Sequence, residues 1–213
     1  MEVSLTLFKW LGLRRIYVIR IILTVEDHSS FSSSMKNDYV DQFKYTQHMS
    51  MSGCISDEMA IFIISHCPCL LGVVISRNSQ VTDHTLQSIA EHCTGLQTLS
   101  LSRCRQLADA GLITISEQCT NLIALMMEFS RSITDASIIS ISENCTGLKG
   151  LYLQDTAITE ASLIAIAKNC TGLQLLYTSE YKGRLRRLKL CREFDSVLEL
   201  RAVLLSIFPS LLF

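Results

Sequence analysis

The sequence has almost no net charge, and that shortage excludes more than its motifs do. With 19 Lys and Arg against 20 Asp and Glu, the formal net charge is −1, whereas nucleic-acid binders ordinarily carry a basic excess. Long apolar runs are missing too. The first 25 residues are rich in Leu and Ile, but Lys9, Arg14, Arg15 and Arg20 interrupt them, so no stretch there approaches the roughly 18 apolar residues of a membrane span. The same charges break the apolar centre that a secretory signal needs. No nucleophile elbow, P-loop or dinucleotide fingerprint occurs. The nine cysteines include no C-x-x-C pair, and Cys67-x-Cys69 alone is a poor template for zinc. These absences set the expectations: no nucleic acid, no membrane, no metal, no cofactor and no catalysis.

What is present is a repeat. Cys93-Thr-Gly-Leu96-Gln-Thr-Leu99-Ser-Leu101 returns as Cys119-Thr-Asn-Leu122-Ile-Ala-Leu125-Met-Met127 and as Cys145-Thr-Gly-Leu148-Lys-Gly-Leu151-Tyr-Leu153. The anchors Cys67, Cys93, Cys119 and Cys145 are 26 residues apart, and Cys170 follows after 25. A fixed period of this size means a solenoid whose units bury their apolar faces only against neighbours. Leu96, Leu99 and Leu101 make the L-x-x-L-x-L of a short inner strand. Leu86, Ile89, Ala90 and Cys93 fall at i, i+3, i+4 and i+7, one helical stripe. Thr82-Asp83, Thr134-Asp135 and Thr159-Glu160 stand where helices would begin, with a hydroxyl to cap free N–H groups and an acid at the positive end of the dipole. Ile61, Ile113, Ile139 and Ile164 recur beside the inner stripe, with Gln87 the exception, as a helix-to-helix packing column.

The pattern C-x-x-L-x-x-L-x-L, a turn, then [ST]-[DE]-x-x-[LI]-x-x-I-[AS]-x-x-C resembles the cysteine-containing leucine-rich repeat. That subtype occurs in F-box substrate receptors of cullin–RING ubiquitin ligases (SCF complexes) and in short relatives without an F-box. The resemblance covers roughly residues 43 to 180. It implies an α/β leucine-rich-repeat solenoid, a short horseshoe of about six units with a parallel inner sheet and outer helices. It implies a non-catalytic protein-binding module, with a protein partner on the concave face and a ligase adaptor as a further partner. An F-box ordinarily opens on a Leu-Pro pair, and no such opening is visible with Pro68 and Pro209 as the only prolines. The alternative is therefore a free-standing repeat scaffold or regulator.

Three segments follow. Residues 1–42 hold the apolar, basic stretch and a Ser-rich linker; the stretch reads as a cap on the open first repeat or as a presequence. Residues 43–180 hold the repeats, opened by Phe43, Thr46, Met49, Met51 and Cys54 in a variant first unit. Residues 181–213 read as a degenerate, out-of-phase repeat or cap, since Leu185-Arg-Arg-Leu188-Lys-Leu190 restates the strand motif and Phe208-Pro209-Ser-Leu211 echoes Cys67-Pro68-Cys69-Leu70. The basic cluster from Arg184 to Arg192 is a solvated strand face or a site for an acidic partner. Cysteine placement in one recurring slot favours buried, reduced thiols and hence the cytoplasm or nucleus. His66 and His92 share their slot with Gln118, Asn144 and Asn169, which marks a polar helix end rather than a ligand.

Period-two alternation then gives the binding face. Residues between inward leucines read Val74, Ser100, Met126, Tyr152 and Tyr177, with Glu128 and Gln154 one step further on. Methionine and tyrosine at outward positions are the residues that anchor protein interfaces. The competing reading is that the rings only cover one another on an exposed sheet.

Overall fold

The computed structural model describes residues 43–52 and 55–178, together with the paths of two flanking strands, Tyr17–Ile22 and Cys191–Glu193. In chain order the elements are β1 (Tyr17–Ile22), β2 (Thr46–Ser52), α1 (Asp57–Ser65), β3 (Gly72–Ser76), α2 (Asp83–His92), β4 (Thr98–Ser100) and α3 (Asp109–Gln118). Then follow β5 (Ala124–Met126), α4 (Asp135–Asn144), β6 (Gly150–Leu153), α5 (Glu160–Asn169), β7 (Leu175–Thr178) and β8 (Cys191–Glu193). All eight strands form one sheet in sequence order. The fold is an α/β leucine-rich-repeat solenoid: strands β2 to β7 are parallel and alternate with five helices.

The two ends differ from the repeats between them. Strand β1 adds a parallel strand beside β2, with Ile19 opposite Met49 and Ile21 opposite Met51. Strand β8 runs antiparallel to β7, so it does not continue the direction of the inner strands. Cys54, Ser179, the linker, Leu185–Leu190 and Phe208–Leu211 lie outside the described residues.

Burial explains the repeat. Leu96, Leu99, Leu101, Leu122, Leu125, Met127, Leu148, Leu151 and Leu153 are all fully buried, and one contiguous core runs from Phe43 to Leu176. Phe43 fills the slot that cysteine fills later. The isoleucine column at 61, 113, 139 and 164 is half-buried, and Gln87 is exposed.

The anchor cysteines do more than fill space. Each thiol of the central repeats donates to the carbonyl oxygen of the preceding anchor: Cys93 to Cys67 at 3.6 Å, Cys119 to Cys93 at 3.4 Å, Cys145 to Cys119 at 3.6 Å. Cys170 instead reaches Ser142 O at 3.8 Å. Each anchor stands at a helix C-terminus, where carbonyls lack intrahelical donors. The slot is thus apolar around a weak donor, not purely apolar. Burial pushes the thiols of Cys93, Cys119 and Cys170 up to about 12, helped by the neighbouring cysteine, and that of Cys145 up to about 11. At neutral pH they are protonated and inert. The seven described cysteines are free thiols, six buried and Cys69 exposed. Among these seven, iodoacetamide under native conditions should therefore modify Cys69 first, with the other six protected until urea unfolds the chain, as peptide mass mapping would read.

At the opposite helix ends a second ladder runs from repeat to repeat. The helices begin at the predicted Asp83, Asp135 and Glu160, and Thr82, Thr134 and Thr159 cap them by accepting from His84 N, Ala136 N and Ala161 N. The acids have a role the sequence did not disclose. Asp57 accepts from Thr82 N at 2.8 Å, from the Thr82 hydroxyl, and from Thr85 Oγ1 at 2.6 Å. Asp109 takes the same three bonds from Thr134 and Ser137, and Asp135 takes them from Thr159 and Ser162. Asp83 is the exception, because Ala108 and Gly111 replace the hydroxyls and only Ala108 N reaches it, at 2.9 Å. A Cβ at Gly111 would come within 2.7 Å of both Asp83 Oδ1 and Leu86 Cδ1, so glycine permits this closer approach.

Burial acts to raise the carboxyl pKa values of Asp57, Asp109 and Asp135, but the hydrogen bonds from the next repeat outweigh it and hold them below the ordinary range. A folded value below the unfolded one (about 3.9) adds stability above the unfolded pKa and loses it as pH falls through the folded pKa. Stability to urea should accordingly decline as pH drops below about 4. Asp109→Asn should lower stability at pH 7 by on the order of 1–2 kcal/mol and flatten that acid decline. Asp83→Asn should cost less.

Candidate protein-binding face

Within each strand the inward residues are buried and the residue between them faces away from the helices. Val73 and Ile75 flank Val74, Leu99 and Leu101 flank Ser100, and Leu151 and Leu153 flank Tyr152, and every one of these flanking side chains is fully buried. The strand register then joins the outward residues into one column: Val74 opposite Ser100, Ser100 opposite Met126, Met126 opposite Tyr152, Tyr152 opposite Tyr177. Parallel strands about 4.8 Å apart hold the two tyrosines at one spacing. Their rings stack with centroids 4.7 Å apart and planes within 6°.

Exposure along the column is uneven. Val74 is 37% exposed, while Met126, Tyr152 and Tyr177 are half-buried. Ser100 is only 8% exposed, against the expectation of an outward, accessible residue, because its short side chain lies between the longer ones of Val74 and Met126. The tyrosines are also less free than full solvent exposure would have made them, since each ring shields a face of the other. Tyr177→Ala should therefore cost about 0.5–1.5 kcal/mol on urea unfolding, the value of an aromatic pair, rather than nothing. A loss several times larger would place the ring in the core.

Glu128 and Gln154 continue past the strand ends. The ladder persists there, with Met127 N donating to Tyr152 O, Arg103 N to Glu128 O and Phe129 N to Gln154 O, each at 2.8 Å. The side chains of Glu128 and Gln154 are half-buried, and Gln154 Oε1 is covered with no hydrogen-bond partner among the described residues. Ser179, the next member of that column, lies outside them.

One step further the chain turns in a way the sequence did not announce. Arg77, Arg103, Phe129 and Asp155 all adopt positive φ, between 55° and 65°, and each occupies the same place in its repeat. Left-handed backbone costs a non-glycine residue roughly 1–2 kcal/mol, so the turn is imposed by the stacking of repeats. The Arg103 guanidinium lies over the Phe129 ring, 4.4 Å from its centroid. Phe129 is nonetheless 44% exposed. Arg103, Arg105, Phe129, Arg131, Ser132 and Asp155 line a cleft of about 620 Å³. The signal that could have found it is the period itself, since 103 and 129, like 105 and 131, are 26 apart.

Among the described residues no three His, Cys, Asp or Glu side chains converge as metal ligands would. His66 and His92 bond to carbonyls one turn back, Phe62 O at 2.7 Å and Ser88 O at 2.9 Å. Among the same residues no helix is long and apolar enough to cross a membrane.

No protein-family model and no curated protein matches the sequence. Among solved structures, an internalin from Listeria monocytogenes is similar over 67% of this chain and 45% of its own, at 15% identity and a TM-score of 0.47. TLR13, solved in a complex with ssRNA13, is similar over 69% of this chain and 28% of its own, at 14% identity and a TM-score of 0.38. The chain thus spans less than half the length of either structure, and neither likeness is close enough to transfer a function.

Proposed function

We propose that the chain is a non-catalytic protein-interaction module that captures a protein partner on the face of the sheet opposite the helices. The observation that carries this reading is the column of Val74, Met126, Tyr152 and Tyr177, an apolar and aromatic stripe held rigid by strand register. Ser100 lies within it between Val74 and Met126, and Glu128 and Gln154 flank it. Stacked rings on a fixed backbone lose little conformational entropy on binding, and aromatic anchors dominate interface energies.

The cysteine-containing repeat sequence supports a finer reading, the substrate-recognition part of a receptor in ubiquitin-dependent degradation, with a ligase adaptor as second partner. The other reading is a scaffold or regulator outside any ligase, which needs the sheet face but no adaptor. Six buried, protonated thiols among the described residues suit a reducing compartment, the cytoplasm or nucleus.

Tyr152→Ala/Tyr177→Ala tests the face directly. Truncating central aromatic anchors costs 2 kcal/mol or more of binding, roughly a 30-fold loss of affinity or more, so crosslinked partners captured by the wild-type chain should be absent from the double variant. A folded double variant that captures the same partners would move the interface elsewhere. Purified adaptor and cullin, mixed with the full chain, separate the ligase reading from the scaffold reading by co-elution.

A further inference from the structure

We infer that the Arg103–Phe129 cleft takes a phosphorylated serine or threonine of a peptide that also lies on the tyrosine stripe. Three arginines and one aspartate are among the residues that line the cleft, Arg103, Arg105 and Arg131 against Asp155, which gives its charged lining residues 3 − 1 = +2. A phosphomonoester carries about −1.5 to −2 at neutral pH and so neutralises that charge, whereas a side-chain carboxylate would leave part of it uncompensated. Guanidinium forks fit phosphate oxygens bidentately. Arg103 is held in place by its position over the Phe129 ring, which reduces the ordering cost of binding. Glu128, the acid nearest to Phe129 in sequence, is not part of the cleft wall.

Position makes the ligand a peptide rather than a polynucleotide. Phe129 lies three residues beyond Met126, past the end of β5, on chain still held to the next repeat by bonds from Met127 N and Phe129 N, so the two are at most about 10 Å apart at 3.3 Å per extended residue. An extended peptide covers that distance in about three residues of its own. Alternate side chains of such a peptide share a face, so one phosphorylated side chain in the cleft turns the side chains two and four positions away toward Met126 and Tyr152. A polynucleotide would need a continuous basic track, and the whole chain carries a net charge of −1. The inference rests on the open sheet face being the binding face, and the test separates the two claims.

The probe is an oriented mixture of nine-residue peptides with phosphoserine fixed at the centre and degenerate flanks, passed over the immobilised full chain beside the same mixture carrying serine. The expected result is at least tenfold greater retention of the phosphorylated mixture, enrichment of aromatic or aliphatic residues two or four positions from the phosphoserine, and displacement by inorganic phosphate. Arg103→Gln/Arg105→Gln/Arg131→Gln should abolish the phosphate preference with an unchanged circular dichroism spectrum. If the triple variant does not fold, the exposed Arg131→Gln alone should reduce the preference severalfold. Equal retention of both mixtures, a preference that survives the arginine substitutions, or stronger retention of a nine-nucleotide oligothymidine through the same arginines overturns the inference. Loss of serine-mixture binding in Tyr152→Ala/Tyr177→Ala with no phosphate preference leaves the open-face reading standing and removes this one. A phosphate preference indifferent to both tyrosines leaves an anion site but overturns the shared peptide.

Discussion

The constraint on which everything else depends is that no repeat can bury its own core. The Cys119 thiol reaches back 3.4 Å to Cys93 O, and Asp109 reaches forward to Thr134 and Ser137. These two ladders lie at opposite ends of the helices, and both join a repeat only to its neighbour. The leucines between them are fully buried only because the next repeat covers them. Stability in such a molecule is a sum of neighbour terms, which explains why the same residue types return at the same slots. Where the slot changes, the contact changes with it. Ala108 and Gly111 leave Asp83 with one bond instead of three, and glycine lets the helices approach where a Cβ would collide.

That internal monotony is what makes the surface chemically usable. A parallel ladder in constant register turns each outward sequence position into a straight column with one residue per strand. Tyr152 and Tyr177 stack because their backbones are already at stacking distance. Arg103 lies over Phe129 for the same reason, one turn further along, where four successive repeats share a left-handed residue. The two columns differ in chemistry, one apolar and aromatic, the other mixed, with Arg77 and Arg103 followed by Phe129 and Asp155. Their separation is set by three residues of chain that stay bonded to the next repeat.

The repeat, its period, the inner strands, the helix starts and the buried cysteines were legible in the sequence, because burial against identical neighbours demands identical residues. The outward column was legible too, since alternation along a strand is enough to name it. Its degree of exposure was not. Ser100 is covered by longer neighbours across the sheet, and each tyrosine is half-covered by the other, which depends on distances between strands and not on order along the chain. Likewise, the acid after Thr134 reads as a partner of the helix dipole. Only the packed structure shows Asp135 bridging to hydroxyls 24 and 27 residues later.

The cleft marks the boundary between the two kinds of knowledge. Arg103, Phe129 and Asp155 share a slot but no chemistry, so the period aligns them without naming a site, and nothing in their spacing reveals a positive φ. The sequence by itself determined a solenoid of stacked strand–helix units, because periodic apolar residues leave no other way to bury them. Tertiary structure alone decided which outward residues converge, that strand β8 runs antiparallel to β7, and that guanidiniums from different turns line one cleft. Those outcomes follow from backbone direction and inter-repeat distance, which are set only when the units stack.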